Sequence, residues 1–137
     1  MTEDRQKHWD SLLARSNRSP YYQLLGMSVA EIGEGRARLT IPVETKLHHG
    51  RGIVHGGVIA SIADGAAAFT VYSLLEPGLV TNTVELKINY LRPVSKGTLT
   101  AEGRIVQKGK RIAVVDLEVW QDDGKLVAKG MATMMIG

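Results

Sequence analysis

The period of the apolar positions changes several times along the chain, and each change marks an element. In residues 4 to 16, Trp9, Leu12 and Leu13 recur at helical spacing among charged neighbours, which predicts an amphipathic helix. Ser19-Pro20 fits an N-cap with proline at the first helical position, opening a short turn through Tyr21, Tyr22 and Leu25 that Gly26 ends. Met27 to Ile32 and Arg36 to Ile41 read as strands joined by Gly33-Glu34-Gly35. In the second, Ala37, Leu39 and Ile41 alternate with Arg36, Arg38 and Thr40, so the pair is expected to be a hairpin. Val43 to Val54 reads as a glycine-containing loop that runs into His55-Gly56-Gly57. From Val58 to Leu75 the apolar residues leave no broad polar face, the pattern of a buried helix over about 57–75.

After Glu76-Pro77-Gly78 the period becomes two. Val84, Leu86, Ile88 and Tyr90 alternate with Thr83, Glu85, Lys87 and Asn89 until Arg92-Pro93 breaks the run. Three more strands are expected at about Gly97 to Lys108, Arg111 to Gln121 and Lys125 to Ile136. Their turns are Lys108-Gly109-Lys110 and Asp122-Asp123-Gly124, the latter a type I′ signal. Short turns imply antiparallel neighbours, so the expected class is α+β: one antiparallel sheet wrapped against a central helix. At 137 residues, with no repeat, low-complexity tract or linker, residues 1–137 are expected to be a single domain.

Composition narrows the chemistry. The chain has no cysteine, which removes disulfide frameworks, Cys zinc sites, thiolate nucleophiles and iron–sulfur clusters and suits a reducing compartment. The first eight residues lack the apolar core of a signal peptide, so a cytoplasmic location is expected. The buried helix approaches the length of a membrane span, but Asp64 lies inside it, and a carboxylate at mid-bilayer costs a few kcal/mol; no membrane partner is expected. Net charge is 17 − 14 = +3 and is unevenly spread. Residues 87 to 111 hold seven basic side chains against Glu102, a local +6, while the rest of the chain sums to 10 − 13 = −3.

Asp64 is the strongest chemical signal, because buried carboxylates are rare and cost several kcal/mol unless paired or protonated. Its helical neighbours Ala60, Ala67 and Ala68 are small and leave room beside it. His55-Gly56-Gly57 at the helix start offers free N–H groups and the positive end of the helix dipole, which attract an anion or a carbonyl oxygen gaining charge. Gly56 and Asp64 are eight residues apart, or roughly 12 Å along one helix. One substrate carbonyl cannot meet both in one chain, so a reaction that uses both requires Asp64 from a second subunit: a homodimer with two shared sites. Four histidines, His8, His48, His49 and His55, include no helical i, i+4 pair, and no metal is expected. Lys108, Lys110 and Arg111 cluster at one turn, as phosphate groups require. Without an aromatic stacking platform or a recognition motif, nucleic acid is not the expected partner.

His55-Gly56-Gly57 followed by Asp64, and then Thr83-Val84-Glu85-Leu86-Lys87-Ile88-Asn89-Tyr90-Leu91-Arg92-Pro93, closely resembles the hotdog-fold acyl-CoA thioesterases of the PaaI-like branch, over about residues 24–136. The resemblance implies a curved antiparallel sheet around one central helix, with protomers joined sheet edge to sheet edge and dimers able to pair further. It implies hydrolysis of an aromatic or medium-chain acyl-CoA to free acid and CoA, without cofactor. Asp64 corresponds to the general base or nucleophile and Gly56 to the oxyanion donor. His55 and Gly57 belong to the same loop, and Thr83 to a hydroxyl that helps hold water. Six residues before the motif histidine the family carries Asn or Gln; here stands His49, whose neutral ring can still donate one hydrogen bond. In relatives basic residues near this hairpin help bind CoA, so Arg92, Lys108, Lys110 and Arg111 are expected to bind CoA, and the depth of the acyl pocket is expected to depend on how Tyr21, Tyr22, Phe69, Tyr72 and the facing subunit pack. The fold also serves dehydratases or hydratases of acyl thioesters and non-catalytic acyl-CoA-binding proteins. The former pair a catalytic histidine with an acid in different motifs, and the latter need an output domain, while the N-terminal 25 residues are too few for a DNA-binding unit.

Overall fold

The computed structural model describes residues 2–137. Helix α1 (Glu3–Asn17) starts at Thr2, whose side chain accepts the Arg5 N–H, and carries Glu3 and Asp4 in its first turn, where the dipole favours acids. It buries Trp9 and Leu12, and the Trp9 indole N–H donates to the Ser73 carbonyl at 3.1 Å, which fixes α1 to the end of the central helix. Helix α2 (Pro20–Leu25) ends at Gly26, whose φ of 74° is a left-handed conformation that glycine adopts without strain. Strands β1 (Ser28–Gly33) and β2 (Arg36–Pro42) form the expected hairpin. The following loop is tied by a short 3-10 turn (Thr45–Leu47) and a bridge between His48 and Val54. Helix α3 (Gly56–Tyr72) and strands β3 (Thr81–Tyr90), β4 (Thr98–Lys108), β5 (Ile112–Gln121) and β6 (Leu126–Ile136) complete the chain.

All six strands join one antiparallel sheet in the order β1-β2-β4-β5-β6-β3. Helix α3 lies against it, burying Ile62, Ala63, Ala66 and Ala67 in a core shared with Leu39, Leu99, Val115 and Leu117. Close approach is possible because β4 carries Gly103: a Cβ there would lie 2.9 Å from the Ala66 carbonyl oxygen.

Four expectations change. The central helix ends at Tyr72 rather than residue 75: Leu74 and Leu75 bond three residues back instead of four, and Pro77 disfavours helix in the residue before it. Strand β3 does not neighbour β4; it crosses to the far edge and, among the described residues, pairs only with β6, because Pro93 to Gly97 forms a crossing connection rather than a tight turn. The Asp122-Asp123-Gly124 turn is not type I′, which needs positive φ at both central residues; only Gly124 has it, at 83°. Gly124 donates to the Gln121 carbonyl and Gln121 to that of Lys125, the pattern of a type I turn followed by a glycine bulge. Finally, β3 does not alternate throughout. Its register with β6 shifts between Thr83 and Glu85, so Val84 is an extra residue and Thr83 shares the inward face with Leu86, Ile88 and Tyr90.

Candidate active site

The N-terminus of α3 is assembled by hydrogen bonds from the preceding loop. Val54 N–H donates to Val94 O at 2.7 Å, His55 N–H to Leu47 O at 2.9 Å, and His48 Nε2–H to Ser95 O at 2.9 Å. His55 then caps the helix: its Nδ1 accepts the Gly57 N–H at 2.8 Å, which leaves Nε2 as the protonated nitrogen of the neutral ring. Among the described residues nothing accepts the Gly56 N–H, while the Tyr90 hydroxyl donates to the Gly56 carbonyl at 3.1 Å. A Cβ at Gly56 would sit 3.2 Å from the Tyr90 ring, so glycine lets that ring close over the helix end. His49 Nδ1 accepts the Arg51 N–H at 2.9 Å and so also presents Nε2–H. His49, Arg51, Gly56, Tyr90 and Arg92 surround a cavity of about 360 Å³ with Ile59 and Val94 in its apolar wall.

Two turns further along α3, Asp64 is partly buried. Thr83 Oγ1 donates to its Oδ1 at 2.6 Å, and the bulge at Val84 is what turns Thr83 inward to do so. Its Oδ2 meets no donor among the described residues. Tyr21, Tyr22, Met27, Ser61, Gly65 and Ala68 enclose, with Asp64, a second cavity of about 290 Å³. Burial, and then the negative charge of Asp64, push the Tyr22 phenol up to about 12, so it stays protonated. Strand β3 runs back along α3, with Thr83 beside Asp64 and Tyr90 beside Gly56.

The structure therefore brings Asp64 together with Thr83, and Gly56 together with His49, Arg92 and the cap of His55 and Gly57, but keeps the two groups apart on one helix. Lys108, Lys110 and Arg111 form a third group at the β4–β5 turn, beside a cavity of about 550 Å³ walled by Ile112 and Val114. Ile112 and Asn82 both pair with Met135, which sets this turn level with the start of β3. Arg92 lies past the other end of that ten-residue strand, roughly 30 Å away at ~3.3 Å per residue. The basic segment is thus two clusters within the protomer, and among the described residues none of Arg51, Arg92, Lys108, Lys110 and Arg111 makes an ion pair. Phe69 and Tyr72 stand behind Tyr22 rather than in the Asp64 cavity. Sequence reading missed Arg51, Ser61 and the Tyr90–Gly56 contact, since Tyr90 reads as one more apolar position in an alternating strand.

Residues 51–128, more than half of the chain, match the family model of the thioesterase superfamily. The chain belongs to that superfamily. This thioesterase is 37% identical over 118 residues to a putative esterase of Saccharolobus solfataricus, covering 84% of this chain and 81% of that one. It is 32% identical over 123 residues to the acyl-coenzyme A thioesterase PaaI of Escherichia coli, covering 89% and 86%. The solved structure of E. coli PaaI superimposes with a TM-score of 0.86 at 29% identity, over 96% of this chain and 94% of the other. The thioesterase has the hotdog fold, and its reaction class is thioester hydrolysis. No helix in its described residues is long and apolar enough to cross a membrane.

Proposed function

We propose that the protein hydrolyses aromatic or medium-chain acyl-CoA to the free acid and CoA in the cytoplasm, as one hotdog domain working in a homodimer with two shared active sites. The observation that carries this reading is the Asp64 carboxylate: one oxygen is fixed by Thr83, and the other is free beside a cavity of acyl size. Asp64 acts on the thioester carbon either as general base toward water or as nucleophile. In the first route it takes the proton of a water, the oxygen adds to the carbonyl carbon, and the C–S bond breaks to release CoA thiolate, whose protonation restores the carboxylate. In the second a carboxylate oxygen adds to the thioester carbon, the C–S bond breaks to release CoA thiolate and leave a mixed anhydride, and water then cleaves the anhydride to free acid and the restored carboxylate. In both, the carbonyl oxygen gains charge and needs a donor; the unpartnered N–H of Gly56 at the helix N-terminus has that character.

Gly56 and Asp64 lie ~12 Å apart along α3, so the donor is supplied by the other protomer. Strand β3 supports that arrangement. It is a ten-residue edge strand with its outer hydrogen-bonding side open, and Val84, Tyr90 and Leu91 are more than half exposed. Pairing β3 with its own copy in antiparallel fashion sets the Thr83–Asp64 end of one protomer against the Tyr90–Gly56 end of the other. The same two-fold carries Arg92 of each protomer toward the Lys108, Lys110 and Arg111 turn of its partner, which gives the CoA phosphates cations from both chains. His49 Nε2–H is positioned to hold substrate or water beside Gly56.

The test is CoA release, followed with a thiol reagent over a panel of acyl-CoAs; a cysteine-free chain contributes no background. Asp64→Asn keeps an acceptor for Thr83 and loses the base, so kcat should fall by at least ~100-fold. Undiminished turnover in that variant sinks the mechanism. Hydration of enoyl-CoA without CoA release would point instead to a hydratase.

A further inference from the structure

The walls of the cavity beside Asp64 bear on a question that thioester hydrolysis leaves open, namely what limits the acyl group. Its floor is the face of α3 that carries Ser61, Gly65 and Ala68, small side chains that leave a trough along the helix. Its roof is α2. Ser61 Oγ donates to the Gly57 carbonyl at 2.8 Å, which commits its only proton, so Tyr21 donates in the 2.6 Å contact between their hydroxyls and is latched to the helix. Tyr22 stands over Gly65, where a Cβ would lie 2.7 Å from the phenol oxygen; glycine there lets the ring come down beside Asp64.

Tyr22 is braced from behind. Phe69 meets it edge-on with centroids 6.3 Å apart, Tyr72 backs Phe69 at 5.8 Å, and the Arg15 guanidinium covers Tyr72 at 5.6 Å. A ring supported in this way is a fixed wall rather than a flap. Its protonated hydroxyl has no acceptor among the described residues, so a hydrocarbon tail pressed against it would seal off an unpaired donor, at a cost of roughly tenfold or more in affinity. We infer that Tyr22 is the specificity-determining end wall of the acyl pocket, accepting acyl groups that stop short of it and refusing longer aliphatic ones. The cavity of about 290 Å³ equals roughly ten water volumes, room for an acyl group of about ten non-hydrogen atoms. The inference rests on the hydrolase reading above.

The experiment measures kcat/KM for saturated acyl-CoAs from butyryl to palmitoyl in the wild type, Tyr22→Ala, Ala68→Leu and Asp64→Asn. Wild type should lose at least ~10-fold between octanoyl and palmitoyl, and Tyr22→Ala should recover at least ~10-fold in the palmitoyl-to-octanoyl ratio. Ala68→Leu raises the floor of the pocket and should lower the octanoyl-to-butyryl ratio by a similar factor; it decides the matter alone where Tyr22→Ala does not fold. Ratios within twofold of wild type in the folded variants, or a wild type equally fast on octanoyl and palmitoyl, overturn the wall. If Asp64→Asn is inactive on every chain length while the ratios stay fixed, hydrolysis at Asp64 stands and only the wall falls. A wild type that releases CoA from none of them removes the hydrolase reading itself.

Discussion

Replacing Gly56 by proline deletes one backbone N–H and disturbs little else. Gly56 is the first residue of α3, the helical position that proline tolerates best. His55 before it has φ −62° and ψ 135°, within the extended region that a residue preceding proline requires. The deleted N–H has no acceptor among the described residues, so no hydrogen bond is lost in the resting protein. The remaining strain is against the Tyr90 ring, which lies 3.2 Å from a Cβ at this position and must give by a few tenths of an ångström. A repacking cost near ~1 kcal/mol lowers the melting midpoint by about 2–6 °C for a chain of this size. Loss of one oxyanion donor, by contrast, costs about 10²–10³ in kcat, or about 2.7–4 kcal/mol of transition-state stabilisation. The decisive step mixes Gly56→Pro with Asp64→Asn chains, each nearly inactive alone. In a heterodimer one site combines both defects and the other combines an intact Asp64 with an intact Gly56. Random re-association makes half the dimers mixed, each with one of two sites intact, so CoA release should return to about a quarter of wild type. Activity that stays at the parental level while native mass spectrometry shows mixed dimers would place both groups in one chain and refute the shared site. Full activity of Gly56→Pro by itself would remove the N–H from the chemistry.

Charge reversal at Lys108, Lys110 and Arg111 should raise KM for acyl-CoA, more so at low salt, and leave KM for the matching acyl-pantetheine almost unchanged, because only the nucleotide carries the phosphates; equal effects on both remove the nucleotide role. Gly103→Ala should destabilise the fold by about 1–3 kcal/mol in chemical denaturation, since its Cβ would press on the Ala66 carbonyl at 2.9 Å and on the Thr70 side chain; a neutral outcome contradicts the close helix–sheet approach. In an alkaline absorbance titration, the difference between wild type and Tyr22→Phe should be a tyrosinate signal centred near pH 12. Because the folded pKa is raised above the ordinary tyrosine value of 10.0, stability from protonated Tyr22 is complete below pH 10 and lost as pH rises toward 12. A difference signal centred near pH 10 would mean that Tyr22 is neither buried nor held against Asp64.

Much of this was legible in the chain because it depends on local rules. The buried character of α3 follows from an apolar pattern without a polar face, and the cap at His55-Gly56-Gly57 is a short-range feature. The ~12 Å between Gly56 and Asp64 needs only the rise of a helix. What escaped depends on long-range pairing. Alternation alone places Thr83 on the outer face with Glu85 and Lys87, and only pairing with β6 reveals the extra residue at Val84 that turns it toward Asp64. In the same way, Lys108 and Arg92 are near in sequence but lie at opposite ends of the sheet, because β3 crosses to the far edge instead of folding back on β4. The turn at Gly124 is ambiguous in sequence, since Asp-Gly serves both a type I′ turn and the last step of a type I turn with a bulge.

The sheet order also sets a timetable during synthesis. Among the described residues strand β3 has one partner in its own chain, β6, and β6 is the last of the six strands of the sheet in chain order. Between Tyr90 and Ile136 lie 136 − 90 = 46 residues, which take about 2–9 s at ~5–20 residues per second. Throughout that interval β3 waits with both of its edges unpaired, and with Val84, Tyr90 and Leu91 on show. A nascent chain of this kind is exposed to capture by chaperones or by neighbouring nascent copies. Any truncation that removes β6 makes that exposure permanent and takes away the strand on which the second protomer would build.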